Sequence, residues 1–433
     1  MTRHLRHRRL VGLVWSALVL IGATTSASRA EVPSAAPGEI LVKLRSGDSL
    51  AALLVRYRLV VVERLGARPL FRLKTVGPGK LSDRVAELAL DPEVQLAELN
   101  RRHQIPEAKK NNVWAIGTRD DYVQQWAQEA IRLDPAQQLA TGSGVRVAVI
   151  DTGVDPAHPA LAGHLLPGYD FVDGDTDPSE VGAELSPGFG HGTHVAGIVA
   201  LTAPQAGIMP LRVLDADGAG TAWALAAAML YAVDPDRNPA TDDGAQVINL
   251  SLGTRQRTKL LDTIALLASC SVPDPADPAQ DLSDAGYNDD RDRCRRRPGA
   301  VVVAAAGNDG SARVREYPAA ESAYGLLAVA ASGADKRLAD FSNRGGWIHL
   351  AAPGDGITSS VPNGLYGTWS GTSMATPFVA GTVALLRGEH PAMDAVDAAR
   401  CVERQTRWLR GTDLRQLDAL KVLRAASSSA GCR

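Results

Sequence analysis

A chain of 433 residues that is 45% hydrophobic and 22% charged carries enough apolar material for two or three packed domains, which excludes disorder over most of its length. Its 46 basic residues against 48 acidic ones leave a net charge of −2, which excludes a global basic field for nucleic acid and an acidic solvating tail. With aromatic residues at only 5%, the composition points to a loop-rich α/β or α+β enzyme rather than an aromatic-cored sandwich.

The first thirty residues read as an address. Arg3, Arg6, Arg8 and Arg9 precede an apolar run over 10–23, and small Ser28 and Ala30 then fit a cleavage site. That layout is a secretory signal over 1–30, cut near Ala30, which predicts a secreted or periplasmic protein. The apolar run is shorter than the ~20 residues that span a bilayer core, so no stable membrane anchor is expected. Cys270, Cys294, Cys401 and Cys432 then sit in an oxidising compartment, and none has the C-x-x-C spacing of a zinc site. Of the three possible pairings, Cys270 with Cys294 and Cys401 with Cys432 are expected, because each closes a local loop.

Residues 31–104 read as a small α+β domain. Strands are predicted over 39–44, 59–64, 70–76 and 94–99, with helices over 50–57 and 81–90. The order β-α-β-β-α-β is that of a ferredoxin-like unit. Residues 105–121 are polar and carry Pro106, Lys109, Lys110, Asn111 and Asn112, which predicts an exposed, readily nicked linker. From 122 to 433, continuous apolar strands over 145–150, 207–213, 245–250, 300–305 and 326–331 alternate with helices. That pattern predicts an α/β fold with a parallel sheet covered on both faces. Residues 269–298 interrupt it. They are rich in Asp, Pro and Arg and read as a surface insertion whose Asp281, Asp284, Asp289, Asp290 and Asp292 are neutralised by neighbouring arginines.

Three segments carry chemistry. Asp151-Thr152-Gly153 ends a strand with a carboxylate. His191-Gly192-Thr193-His194 begins a helix with an imidazole. Gly371-Thr372-Ser373 begins another with a hydroxyl, and Pro377 in its first turn costs little. A serine is a weak nucleophile until a base takes its proton, and the base needs a third group to orient it. In open α/β sheets such groups gather at strand carboxyl ends and adjoining helix starts. His194 invites a metal reading, but the spacing is not H-E-x-x-H, and a packing role fits better.

These segments, in the order Asp, His, Ser, resemble the signatures of subtilisin-like serine peptidases. The resemblance implies a subtilisin-like three-layer fold with a mostly parallel sheet, preceded by an inhibitory prodomain. It implies a serine endopeptidase with Asp151, His191 and Ser373 as its triad, Asn308 as an oxyanion donor and no organic cofactor. Ser251-Leu252-Gly253 resembles one wall of the substrate cleft, and Gly218-Ala219-Gly220 the edge strand that pairs with extended substrate. Glu316, just before Tyr317-Pro318, falls at the base of the primary side-chain pocket, where it would favour Lys or Arg. Asp170, Asp173, Asp175 and Asp177 resemble a calcium loop, with a plain solvated acidic loop as the alternative. The expected partners are protein or peptide substrates and the chain's own propeptide, with the peptidase a monomer and self-processing within 104–121. A processing peptidase of narrow range and a catalytically silent peptide-binding protein are the alternatives.

Overall fold

The computed structural model describes residues 34–109, 117–238, 240–271, 293–321, 323–427 and 432. The expected signal segment and the acidic cluster Asp281 to Asp292 lie outside them.

The α+β unit has the predicted order: β1 (Ala35–Leu44), α1 (Leu50–Tyr57), β2 (Leu59–Arg64), β3 (Leu70–Thr75), α2 (Leu81–Ala89) and β4 (Val94–Gln104). Alternation along its antiparallel strands sets the core. Ile40, Val42 and Leu44 on β1 and Phe71 and Leu73 on β3 pack with Leu53 of α1 and Leu88 of α2. The opposite face sends Leu41 and Leu70 into the core of the following segment.

That following segment is built on a nine-stranded sheet. Its strands are β5 (Arg146–Asp151), β6 (Tyr169–Asp170), β7 (Gly207–Arg212), β9 (Val247–Leu250), β10 (Val301–Ala305), β11 (Leu326–Ser332), β12 (Leu350–Pro353), β15 (Thr406–Trp408) and β16 (Arg415–Leu417). They lie in the order β15-β16-β12-β11-β10-β9-β5-β7-β6, parallel except for the β15/β16 pair. The period of two explains why the strands read as unbroken apolar runs. Val147, Val149, Val301 and Val303 face one core with α6 (His191–Thr202) and α9 (Thr372–Glu389). Ala148, Ile150, Val302 and Ala304 face the other with α7 (Ala222–Val233) and α8 (Lys259–Ala268). The expected disulfides, Cys270–Cys294 and Cys401–Cys432, are both formed.

β4 runs five residues beyond its predicted end at 99, and the reason is tertiary. Arg102, His103 and Gln104 pair antiparallel with Thr221, Gly220 and Ala219 of β8 (Ala219–Thr221). The same strand caps two helices. Asn100 Oδ1 accepts the N–H of Trp223 at the start of α7 (3.1 Å). Glu98 accepts those of Lys259 and Leu260 at the start of α8 (3.0 and 3.2 Å). Helix starts leave N–H groups without intrahelical partners, so the α+β unit completes two helices of its neighbour. Trp223 Nε1 also donates to Glu63 Oε2 (2.7 Å). The described residues pack as one unit.

Candidate active site

The sheet topology brings the three sequence segments together. Asp151 is the last residue of β5, His191 the first of α6 and Ser373 the second of α9, and all three are buried. His191 Nδ1 bonds Asp151 Oδ1 (2.7 Å). The same oxygen accepts the N–H of Thr152 (2.7 Å), and Thr152 Oγ1 accepts the N–H of Gly192 (2.9 Å). Behind them His194 stacks on Trp369 with ring centroids 4.6 Å apart and bonds the carbonyl of Gly367 (3.0 Å). Burial pushes His194 down to about 3, so it is a neutral packing residue, as its spacing predicted.

The position facing His191 and Ser373 is occupied by Glu107. Ser373 Oγ donates to Glu107 Oε2 (2.7 Å), His191 Nε2 donates to the same oxygen (3.2 Å), and Asn308 Nδ2 donates to Oε1 (2.7 Å). Asn308 is held in turn by Thr372, whose N–H and hydroxyl both donate to Asn308 Oδ1 (2.9 Å each). Burial alone would keep the His191 ring neutral. Asp151 on one side and Glu107 on the other outweigh it and push His191 up to about 10. Burial would likewise raise the Glu107 carboxyl, but His191, Ser373 and Asn308 hold it below its ordinary value.

The chain reaches this point as an extended strand. Gln104 and Gly253 exchange both backbone bonds (2.9 Å each), and the N–H of Ile105 donates to the carbonyl of Gly218 (3.1 Å). Gly218, Ala219, Gly220 and Gly253 therefore line one groove and are paired with residues 103–105. Leu252 is in the core beneath, and Ser251 Oγ donates to the carbonyl of Ser373 (2.9 Å). At Pro106 the chain leaves the extended form and turns through Pro106–Lys109. This corrects the exposed-linker reading of residues 105–107. Ile105 and Glu107 are 2% and 1% exposed, because the cleft covers them. Sequence reasoning missed Glu107, since a carboxylate three residues past a strand carries no periodic signal.

Glu316 is buried beside this groove. A methyl group on Gly253 would lie 2.5 Å from its Cγ, and one on Gly307 would lie 3.3 Å from its Oε2. Two glycines thus make room for one carboxylate. Tyr317 and Thr254 exchange backbone bonds beside it (2.8 and 2.9 Å), while Arg313 and Arg315 are exposed.

Each of the four acids in the loop has a partner within the chain. Arg212, at the end of β7, bonds both Asp170 and Asp173. Asp175 Oδ1 accepts the N–H of Asp177 (2.9 Å), and Asp177 Oδ1 accepts from Ser179, so both act as turn caps. A buried guanidinium thus supplies positive charge beside Asp170 and Asp173. Arg212→Ala is expected to lower stability by about 3 kcal/mol or more, because it leaves buried Asp170 without its cationic partner. Thermal melting checks this. A chelator-induced drop of that size, abolished by Asp175→Asn, would assign calcium to the loop as well.

Residues 142–421 match the model of the subtilase family of peptidases. The chain is 35% identical over 347 residues to a thermophilic serine proteinase of Bacillus sp. (strain AK1), covering 77% of this chain and 73% of the relative. It is 37% identical over 285 residues to thermitase of Thermoactinomyces vulgaris, covering 64% of this chain and 86% of thermitase. Among solved structures, fervidolysin of Fervidobacterium pennivorans aligns at TM-score 0.69 and 24% identity, over 91% of this chain and 62% of its own, a likeness of fold. A protease of Pseudoalteromonas arctica aligns at TM-score 0.56 and 30% identity, over 71% of this chain and 98% of its own.

Proposed function

This chain belongs to the subtilase family and is a serine endopeptidase, and from that membership and the geometry above we propose that it is the self-inhibited precursor of a secreted enzyme working through Asp151, His191 and Ser373. The observation that carries the reading is the one carboxylate held at once by Ser373, His191 and Asn308. Two oxygens on one carbon, bonded by a nucleophile, a base and a side-chain amide, stand where a reacting carbonyl would stand. Once Glu107 leaves, Ser373 Oγ attacks a peptide carbonyl. His191 takes the proton and passes it to the leaving amine, while Asp151 fixes the imidazole and stabilises its charged form. Asn308 Nδ2 and the Ser373 N–H hold the oxyanion, and water then cleaves the acyl-enzyme. No organic cofactor enters the scheme. Labelling of the chain by a fluorophosphonate tests the assignment: the label is expected on Ser373, and a chain that stays unlabelled after its N-terminal segment is removed would favour a silent binding protein.

Residues 1–30 direct export, and residues 31–104, continuing into the cleft through Glu107, act as the chain's own inhibitor. The maturation cut falls in the remainder of 105–121. Extended substrate replaces residues 103–105 on Gly218, Ala219, Gly220 and Gly253. Main-chain bonds there supply affinity, so selectivity falls to the side-chain pocket. Glu316 supplies it. A buried carboxylate at the pocket base favours a pairing cation and disfavours like charge. Matched peptides carrying Arg, Phe or Glu before the scissile bond are expected to rank Arg first. Glu316→Gln should lower the Arg-to-Phe ratio of kcat/KM at least tenfold. A parent that prefers Phe, or an unchanged ranking in the variant, removes Glu316 as the selector.

A further inference from the structure

Glu180 lies in the loop before α6, eleven residues ahead of His191, and no part of the mechanism above uses it. Its carboxylate nonetheless gathers bonds at two of the three elements that carry the triad. Oε1 accepts the hydroxyl of Thr152, the N–H of Thr193 and the hydroxyl of Thr193, each at 3.1 Å. Oε2 accepts the N–H of Gly190, also at 3.1 Å. Thr152 follows Asp151 just past the end of its strand, and Gly190 and Thr193 flank His191. Gly190 sits at the cap position of α6 with φ 86°, where a residue without a side chain cannot cap the helix itself. Glu180 supplies that acceptor from a distance.

Asp151 depends on this arrangement more than its own contacts suggest. Its Oδ2 is buried with no partner among the described residues. The carboxylate is therefore oriented by Oδ1 alone, through His191 and the Thr152 N–H. Thr152 is itself fixed through its hydroxyl, which donates to Glu180 and accepts from Gly192. We propose that Glu180 is a positioning residue for the Asp151–His191 pair, locking the end of β5 to the first turn of α6 through Thr152 and Thr193. It touches neither substrate nor the reacting atoms.

The ionisable groups facing Glu180 are Asp151 and, beyond it, His191; Thr152, Gly190 and Thr193 are neutral. Burial first, and the Asp151 charge after it, push the Glu180 carboxyl up to about 7, while the donors from Gly190, Thr193 and Thr152 favour its charged form. Asp151 is what raises His191 against burial. Removing Glu180 should therefore do two things together: loosen Asp151 and, through the weaker Asp151–His191 pairing, let His191 lose its proton at lower pH.

The test uses the mature enzyme, with kcat referred to active sites titrated by fluorophosphonate, so that poorly folded molecules are not counted. The inference rests on the triad assignment, which Ser373→Ala tests separately. Glu180→Gln is expected to lower kcat about ten- to a hundredfold with KM within twofold of the parent. The acid limb of its kcat/KM profile should move to lower pH. Thr152→Val should reproduce both effects, Thr152→Ser should restore them, and the double variant Glu180→Gln/Thr152→Val should be no worse than the poorer single. Full turnover per titrated site in Glu180→Gln, an unmoved acid limb, or additive losses in the double variant would each overturn the proposal.

Discussion

A full-length chain carrying Ser373→Ala is expected to fold, to lose peptide hydrolysis by about 10⁶-fold, as the corresponding change does in subtilisin, and to keep its N-terminal segment. Ser373 Oγ is bonded only to Glu107 Oε2 and to the carbonyl of Ser251 among the described contacts, so replacing the hydroxyl by hydrogen opens no cavity of consequence. The near-total loss follows because, among the described residues, none but Ser373 offers a nucleophile beside His191 in the cleft. Turnover and chain length are measured on the same secreted preparation. Comparable turnover would remove Ser373 as the nucleophile. A variant secreted already shortened would leave the chemistry standing and reassign maturation to another peptidase.

Glu107→Ala should have the opposite sign. In the unprocessed chain its carboxylate accepts three bonds from the groups that would otherwise meet a substrate. Hydrogen bonds to charged groups contribute about 1.5–3 kcal/mol each, so two net bonds amount to at least about a hundredfold in the closed-to-open ratio. Fluorophosphonate labelling of the unprocessed Glu107→Ala chain, followed at short times, is expected to be faster than in the parent by about that factor. Equal rates would show that main-chain pairing of residues 102–105 alone keeps the cleft shut.

The same contact predicts a pH dependence. Latched His191 is raised to about 10 by Asp151 and, with it, Glu107, so the share that Glu107 contributes is lost as pH rises through about 10. Latched Glu107 is lowered from an ordinary 4.5, so its contribution is present above 4.5 and lost as pH falls through the lower value. The latch is therefore weakened at both ends, in acid below 4.5 and toward pH 10. Labelling of the parent should accelerate from neutral toward pH 10, and Glu107→Ala should flatten that rise.

What the sequence made legible is what repeats or what chemistry compels. The parallel strands were readable because helices cover both faces, leaving residues such as Val147 to Ile150 apolar without a break. The α+β unit was readable because Ile40, Val42 and Leu44 alternate on one face. That Asp151, His191 and Ser373 lie at strand and helix ends of one sheet was readable from their three segments, in the order Asp, His, Ser. The loop contributions were not. Glu107 and Glu180 act from irregular segments whose partners come from elsewhere in the chain, and no local pattern marks either. The partner of the acidic loop was hidden for the same reason. Only the pairing of β6 with β7 brings Arg212 beside Asp170 and Asp173.

The strand β8 has a further consequence. In the precursor its edge is covered by β4, so the groove presents no free row of N–H and C=O groups. On the maturation proposed above, removing β4 would make the enzyme competent and, in the same event, open an edge of the kind that draws other chains into aggregates. Most proteins defend such an edge with charge, proline or a bulge. This one has short, glycine-bearing Gly218-Ala219-Gly220 there. On the proposed mechanism its defence is turnover: whatever pairs along β8 would be carried to Ser373 and cut, and the fragments would leave. An enzyme that has lost Ser373 but also its N-terminal segment would lack that clearance and should be isolated with peptides still seated on the strand.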